Sequence, residues 1–232
     1  MRTDVRAMLF DLDGTLLDTA RDIAHALDAL RREHGLAALA FEQVRSLVSH
    51  GADALVRLAF PEAASGERLT LRSRLLELYG QAPVVHTRPF DGMPQVLEQL
   101  ERCGIPWGVV TNKPHGLAVP LLEALGLAQR AAVIVGGDSL PERKPHPLPL
   151  LHAAAQLRVA PGAAIYVGDA ERDVTAARAA GMRAIVACFG YIGPGESPRS
   201  WPADLWVSSP REILQWLRGR ELEPSSPDAS EA

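Results

Sequence analysis

Short apolar runs alternate with longer amphipathic stretches along most of the chain, and this alternation predicts the secondary structure. Apolar runs bounded by glycine, proline or polar residues are typical of strands buried in a parallel sheet. Such runs occur at residues 7–10, 106–111, 131–135, 164–167, 183–187 and 205–207. Apolar residues at helical spacing predict helices over 94–102, 117–125, 148–157, 172–180 and 210–217. This order of elements predicts an α/β fold, a doubly wound, Rossmann-like parallel sheet.

Residues 18–90 interrupt the alternation, because their pattern is helical throughout. A first helix is predicted to begin after a cap at Asp18 or Thr19 and to run to about His34. No strand is expected between residues 18 and 90. The further helical patterns cover 41–48, 52–59 and 67–79.

This interruption predicts the domain organisation. We interpret 18–90 as an α-helical cap domain inserted into a core domain that consists of 1–17 and 91–220. Residues 221–232 are polar and rich in proline and serine, and we expect them to be disordered.

Composition and charge narrow the functional classes. The formal net charge of the 232 residues is −4, so the chain lacks the basic surplus of nucleic-acid-binding proteins. No apolar run approaches the roughly 20 residues that span a bilayer, and we expect no membrane association. With two cysteines and no secretory signal, a reduced, cytoplasmic protein is expected. The sequence leaves open whether it is a monomer or a homodimer.

Lysine is rare in this chain. Of 24 Lys and Arg residues only Lys113 and Lys144 are lysines, and each lies beside a predicted strand end and precedes a proline. An ammonium group is a compact point charge, whereas a guanidinium is a planar fork. The two lysines therefore indicate sites where the fork does not fit.

Two aspartates follow the first predicted strand. Asp11 and Asp13 come directly after the run 7–10, at the sheet edge where ligands bind in such folds. Carboxylates this close repel each other unless a cation or a shared proton intervenes. Mg²⁺ held by carboxylates and phosphate oxygens would resolve the repulsion. An isolated Asp-x-Asp more often caps a turn, so the pair needs support from the other strands.

Polar residues follow further strands in the same way. They are Thr111, Asn112 and Lys113 after the second core strand, Lys144 in the loop after the third, and Asp169 with Asp173 after the fourth. Each set alone has an ordinary explanation, such as a helix cap, a solvated lysine or an exposed ion-pair position. Together at one sheet they predict a site, because parallel strands bring their carboxyl ends to the same edge.

These sets resemble the four motifs of the haloacid dehalogenase-like hydrolase superfamily. The stretches are Asp11-Leu-Asp13-Gly-Thr15, Val110-Thr111-Asn112-Lys113, Lys144-Pro145 and Gly168-Asp169-x3-Asp173. The resemblance is specific in order and spacing, covers nearly the whole chain, and includes a small helical cap. Within the superfamily the chain is similar to the phosphoglycolate phosphatase group. Residues 90–94, 107–114 and 190–192 resemble in particular a branch that dephosphorylates N-acetylmuramate 6-phosphate.

The resemblance implies a Mg²⁺-dependent phosphatase acting on a small phosphomonoester. Asp11 would attack phosphorus and form an aspartyl-phosphate. Asp13 would protonate the leaving alkoxide and then accept a proton from the hydrolytic water. Thr111 and Lys144 would bind the phosphoryl oxygens as charge develops on them.

The resemblance also implies metal and substrate ligands. Asp11, Asp169 and the main-chain carbonyl of Asp13 would hold Mg²⁺, and Asp173 would support the metal or position Lys144. The substrate-binding candidates are Thr15, Asn112 and Lys113 in the core and His50 and Gly51 in the cap. Arg45 and Arg57 are weaker candidates for a substrate carboxylate.

Alternatives remain open at this point. A sugar-phosphate mutase would use the same Asp11 and Asp13, and a non-enzymatic binding protein could keep the fold. A dehalogenase is disfavoured, because a departing halide needs no proton and Asp13 would be idle. The substrate stays undecided between 2-phosphoglycolate and N-acetylmuramate 6-phosphate.

Overall fold

The computed structural model describes residues 5–219, and the elements below belong to that part of the chain. The strands are β1 Ala7–Phe10, β2 Leu17–Asp18, β3 Arg88–Pro89, β4 Trp107–Val110, β5 Val133–Val135, β6 Ala164–Gly168, β7 Arg183–Ala187 and β8 Leu205–Val207. The helices are α1 Ala20–Glu33, α2 Phe41–Arg45, α3 Ala52–Ala59, α4 Ser65–Gln81, α5 Met93–Arg102, α6 His115–Ala124, α7 Leu148–Gln156, α8 Glu171–Ala179 and α9 Pro210–Leu217. Short 3₁₀ turns lie at Val48–His50, Pro161–Ala163 and Pro198–Ser200.

Six strands form one parallel sheet in the order β5-β4-β1-β6-β7-β8. Phe10 of β1 is paired with Val109 of β4 on one side and with Val167 of β6 on the other. The strands β4 and β5 therefore lie on one side of β1, and the later strands β6, β7 and β8 lie on the other side, so the strand order reverses at β1. Ligands of such sheets bind beyond the carboxyl ends of the strands where the order reverses. The predicted doubly wound α/β fold is confirmed.

Both faces of the sheet are covered by helices, which explains why its strands are apolar throughout. All four residues of β1 are buried. Met8 and Phe10 pack with residues of α5, α6 and α9, whereas Ala7 and Leu9 pack with residues of α7 and α8. The central strand is thus held from both sides, and the loop that follows it has a fixed starting point.

The four helices α1 to α4 form a second packed body, called the helical unit below. Their apolar faces meet in a cluster of their own, which includes Leu27, Leu30, Leu55 and Leu75. An antiparallel ribbon of β2 and β3 closes the unit at its base, where Leu17 is paired with Pro89. The expectation of no strand between 18 and 90 was therefore wrong, because two-residue strands are too short to show a periodic pattern.

The predicted helices are present, with shifted ends. The pattern over 41–48 becomes α2 and a separate 3₁₀ turn, and α4 begins two residues before the predicted 67. The exact domain boundaries stay predictions, and the expectation of disorder over 221–232 lies outside the described residues. Within residues 5–219 the structure contains no helix long and apolar enough to cross a membrane.

Candidate active site

Asp11 lies buried at the carboxyl end of β1, in the middle of the sheet edge. Its backbone N–H donates to the carbonyl of Val167 at 2.9 Å, which extends the pairing of β1 with β6 by one residue. Its Oδ1 accepts the N–H of Leu12 at 2.7 Å. The first bond fixes the backbone of Asp11, and the second fixes its carboxylate.

Lys144 reaches this carboxylate from the neighbouring loop, and its side chain is 0 % exposed. Its Nζ lies 3.0 Å from Oδ1 of Asp11, 2.7 Å from Oδ1 of Asp173 and 2.6 Å from the hydroxyl of Tyr166. Burial raises the pKa of Asp173, and Lys144 opposes that rise. One ammonium thus offsets the charge of two buried carboxylates.

Asn112 fixes the backbone from which Lys144 projects. Its Nδ2 donates to the carbonyl of Lys144 at 2.9 Å, and its Oδ1 accepts the N–H of Lys144 at 3.1 Å. Thr111 is buried beside it, and its Oγ accepts the N–H of Lys113 at 3.2 Å. Asn112, predicted as a substrate-binding residue, thus positions the lysine, a function that the sequence alone did not indicate.

Asp169 completes a cluster of buried acids after β6. It accepts hydrogen bonds from Ser49 Oγ at 2.7 Å, from the N–H of Tyr191 at 2.9 Å and from Thr15 Oγ at 3.5 Å. Burial, followed by the charges of Asp11 and Asp173, raises the pKa of Asp169 to about 7. Thr15 therefore lies beside this carboxylate.

This cluster fits a divalent metal. Asp11, Asp169 and Asp173 each offer a carboxylate oxygen, and these atoms lie within 4.8 Å of one another. The donors to Asp169 are neutral groups, so a cation would offset the repulsion among three buried acids. A set of carboxylate oxygens suits a hard cation such as Mg²⁺.

Gly14 is required for the close approach of the β1 loop to Asp169. Its φ of +81° is a conformation that residues with a side chain rarely adopt. A Cβ at this position would lie 2.1 Å from Oδ2 of Asp169. The glycine thus lets the backbone pass directly over the carboxylate.

Asp13 is the more accessible acid of the first motif, and it is paired with Lys113. Nζ of Lys113 lies 3.0 Å from Oδ1 and 3.2 Å from Oδ2 of Asp13, and Thr19 Oγ donates to Oδ1 at 2.6 Å. Burial lowers the pKa of Lys113, but the charge of Asp13 and the nearby Tyr79 outweigh burial and leave that pKa above its ordinary value. Lys113 is therefore a fixed positive charge beside Asp13.

A cavity of about 330 Å³ lies between this sheet edge and the helical unit. Asp11, Asp13, Thr111 and Lys144 line its floor, and His50 and Gly51 belong to its wall. Three arginines that the sequence analysis did not single out also line it. They are Arg72 on α4, Arg143 in the loop before Lys144, and Arg172 in the first turn of α8.

The two arginines that were singled out lie elsewhere. Arg45 donates to the carbonyl of Gly190 at 3.2 Å and lies over the ring of Tyr191. Arg57 is exposed, and neither arginine is among the described residues that line the cavity. His50 lies 3.7 Å from Oε1 of Glu196, with a side chain that is 40 % exposed.

Ser49 connects the helical unit to the acid cluster. Its hydroxyl donates to Asp169, and its carbonyl accepts a hydrogen bond from Nη2 of Arg172. The sequence analysis gave no functional role to Ser49 or Arg172. Their only signals were adjacency to His50 and a position inside the Asp169-x3-Asp173 stretch.

Comparison with curated proteins gives relatives over almost the whole chain. A phosphoglycolate phosphatase of Xanthomonas campestris pv. campestris (strain 8004) is 46 % identical over 210 residues, which are 90 % of this chain and 95 % of the relative. An N-acetylmuramic acid 6-phosphate phosphatase of Pseudomonas aeruginosa is 42 % identical over 217 residues, 93 % of this chain and 96 % of the relative.

A solved structure shows the same fold. The crystal structure of a predicted phosphoglycolate phosphatase from Haemophilus somnus 129PT superimposes with a TM-score of 0.84 at 27 % identity, and covers 93 % of this chain and 99 % of that one. The model of the haloacid dehalogenase-like hydrolase family matches residues 8–187. With the buried acid cluster and the two phosphatases above, this match shows that the chain belongs to the haloacid dehalogenase-like hydrolase family.

Proposed function

We propose that this protein is a Mg²⁺-dependent phosphatase that hydrolyses a small phosphomonoester through an aspartyl-phosphate on Asp11. The observation that carries the proposal is the position of Lys144, whose ammonium group holds the Asp11 carboxylate beneath the cavity. A carboxylate fixed in this way is oriented for attack on phosphorus. The same ammonium group, together with Thr111, can bind phosphoryl oxygens as negative charge develops on them.

Asp13 is proposed to move the protons. Both Asp13 and Asp11 line the cavity. The leaving alkoxide, and later the hydrolytic water, would lie in this cavity within reach of Asp13. Nζ of Lys113 lies 3.0 Å from Oδ1 of Asp13 and orients this carboxyl group at the cavity. The protonated group would give its proton to the leaving alkoxide, and the resulting carboxylate would take a proton back from the hydrolytic water.

Asp11, Asp169 and the main-chain carbonyl of Asp13 are proposed to hold the metal. Bound there, Mg²⁺ supplies positive charge that neutralises the acids and orients the phosphate. Asp173 lies in the same cluster but contacts Lys144 at 2.7 Å, so we assign it to positioning the lysine. Thr15 is proposed to orient Asp169, to which its hydroxyl points.

The cavity wall supports the larger of the two candidate substrates. Beyond the charged floor it is lined by apolar side chains, among them Ile23, Val48, Leu55 and Leu75. A two-carbon acid offers little surface to such a wall, whereas an acetylated sugar offers much more. We therefore propose N-acetylmuramate 6-phosphate as the substrate and 2-phosphoglycolate as the competitor to be tested against it.

The test is phosphate release from both compounds side by side, with Mg²⁺ and with a chelator. A preference of about 100-fold in kcat/KM for the muramyl compound corresponds to about 2.7 kcal/mol of transition-state discrimination. The reverse preference would assign the enzyme to 2-phosphoglycolate. Activity that persists in the chelator, or none on any phosphomonoester, would contradict the proposed chemistry.

A further inference from the structure

The cationic side chains around the cavity differ in how far they are already paired. Lys144 is held by Asp11 and Asp173, and Lys113 by Asp13. Arg172, which also lines the cavity, donates from Nη2 to the carbonyl of Ser49 and is anchored to the helical unit. The other two arginines of the lining are Arg72 on the helical unit and Arg143 on the sheet side, and a ligand can bind them without breaking a buried ion pair.

Arg143 is the freer of the two. Within residues 5–219 its guanidinium has no ion pair, and the side chain is exposed at the cavity. Its backbone is nevertheless fixed, because the N–H of His146 donates to its carbonyl at 2.9 Å and Asn112 binds the next residue from both sides. The guanidinium of Arg143 therefore projects from a fixed backbone next to Lys144, which lines the floor of the cavity.

Arg72 faces the same cavity from α4 and has an exchangeable partner. Its Nε lies 3.3 Å from Oδ1 of Asp53, and the two side chains are 35 % and 57 % exposed. Exposed ion pairs of this kind contribute at most about 1 kcal/mol, so a ligand anion can replace Asp53 at little cost. Guanidinium groups are well suited to bind a carboxylate through two parallel hydrogen bonds.

We propose that Arg143 and Arg72 form a second anion subsite that binds a carboxylate on the leaving group of the phosphomonoester. The inference rests on the proposed phosphatase function and assigns residues to the carboxylate that both candidate leaving groups, glycolate and N-acetylmuramate, carry. The apolar wall residues and the arginines together then select a leaving group with both a carboxylate and apolar surface. The subsite uses other residues than Lys144 and Thr111, which are proposed to bind the phosphoryl group.

The test uses substrate pairs that differ in the carboxylate. N-acetylmuramate 6-phosphate is compared with N-acetylglucosamine 6-phosphate, which lacks the lactyl acid, and 2-phosphoglycolate with 2-hydroxyethyl phosphate. Kinetics are measured for the wild type, Arg143→Gln and Arg72→Gln with Mg²⁺. Arg57→Gln is the matched control, because Arg57 is exposed on the helical unit and does not line the cavity.

We expect Arg143→Gln and Arg72→Gln each to lower kcat/KM for the acid member by about tenfold or more, mainly through KM, since uniform binding is lost. The neutral member should change by less than about twofold, as should both members with Arg57→Gln. Equal losses on acid and neutral members, or no loss on either, would overturn the subsite while the phosphatase activity of the wild type stands. A wild type that hydrolyses none of the four compounds would instead overturn the proposed function and the subsite with it.

Discussion

Lys144 illustrates what a single buried charge does in this site. Removing an ion from water costs several kcal/mol, which is recovered only when partners and hydrogen bonds are well placed. Lys144 meets that condition with two carboxylates and the hydroxyl of Tyr166, whose own proton goes to the carbonyl of Val110 at 2.6 Å. Since the Lys144 side chain is 0 % exposed, a longer, planar guanidinium would have to displace the groups around it. The scarcity of lysine in the sequence was therefore an informative signal.

The first prediction at the residue scale concerns Asp11. Replacing it in Asp11→Asn keeps the shape and leaves Lys144 paired with Asp173, so the protein should fold. An amide cannot form the aspartyl-phosphate, and we expect kcat to fall by about 10⁴ or more. Quenched-flow phosphate release, with mass spectrometry of the quenched protein, measures both turnover and the phosphorylated intermediate. Turnover near the wild-type rate would remove Asp11 as the nucleophile.

The second prediction concerns Gly14. In Gly14→Ala the new methyl group would collide with Oδ2 of Asp169, and displacing that carboxylate by about 1 Å should cost about 100-fold in kcat/KM. Gly35→Ala is the matched control, because Gly35 also has a positive φ, of +69°, but nothing lies within 4 Å of its Cβ position. The left-handed conformation should cost both variants about 1–2 kcal/mol of stability. Equal activities of the two variants would show that the contact with Asp169 is unimportant.

At the scale of elements, the local sequence pattern predicted the helices and strands whose formation depends on neighbouring residues in the chain. Every strand of the large sheet and every helix from α5 to α9 could be predicted, because the strands are short apolar runs and the helices have apolar residues at helical spacing, with glycine, proline or polar residues between them. The start of α1 after a cap at Asp18 or Thr19 was also predicted, but the group that caps the helix was not. Thr19 occupies the N-cap position, yet the N–H groups of Thr19 and Ala20 donate to the hydroxyl of Tyr191, at 2.6 and 2.9 Å. A cap supplied from 172 residues away has no signal in a local pattern.

Asp22 shows how α1 holds the segment that leads back to the sheet. Its buried carboxylate accepts the N–H groups of Val85, His86 and Thr87 at 2.9–3.0 Å and the Thr87 hydroxyl at 2.7 Å. Burial raises the pKa of Asp22, but the Thr87 hydroxyl and the three backbone donors outweigh it, so the pKa lies below its ordinary value of 3.8. The carboxylate form thus stabilises the closure of the helical unit.

Asp22→Asn should therefore destabilise the protein by about 1–3 kcal/mol at neutral pH, because an NH₂ group replaces an acceptor and leaves buried donors unpaired. A folded-state pKa below 3.8 means that the stabilisation is present above that value and is lost as the pH falls through the folded pKa. Urea denaturation should show the difference from wild type shrinking below about pH 4. Asp91→Asn, in an exposed pair with Arg211, should change stability by less than about 0.5 kcal/mol. A difference independent of pH would contradict this explanation.

At the scale of the whole molecule, the helical unit and the sheet meet at the acid cluster. Ser49 contacts Asp169 and Arg172, and Arg45 binds the loop at Gly190 and Tyr191. These contacts join residues more than 100 positions apart in the chain, so periodicity and strand-end reasoning could not place them. The sequence indicated the acids and lysines that follow strands, but it gave no role to Ser49 and a different role, binding of a substrate carboxylate, to Arg45.

The contact between Ser49 and Asp169 predicts that docking of the helical unit tunes the proposed metal site. Hydrogen bonds that orient a ligating carboxylate typically change metal affinity 10- to 100-fold when they are removed. We expect Ser49→Ala to raise the Mg²⁺ concentration for half-maximal activity by about tenfold, as measured by titrating initial rates with Mg²⁺. Ser46→Ala is the matched control, since the exposed Ser46 hydroxyl donates only to the carbonyl of Gln43, at 3.1 Å. If both variants keep the wild-type Mg²⁺ dependence, Ser49 serves only to pack the helical unit against the sheet. In that case the contact with Asp169 does not affect the affinity for Mg²⁺.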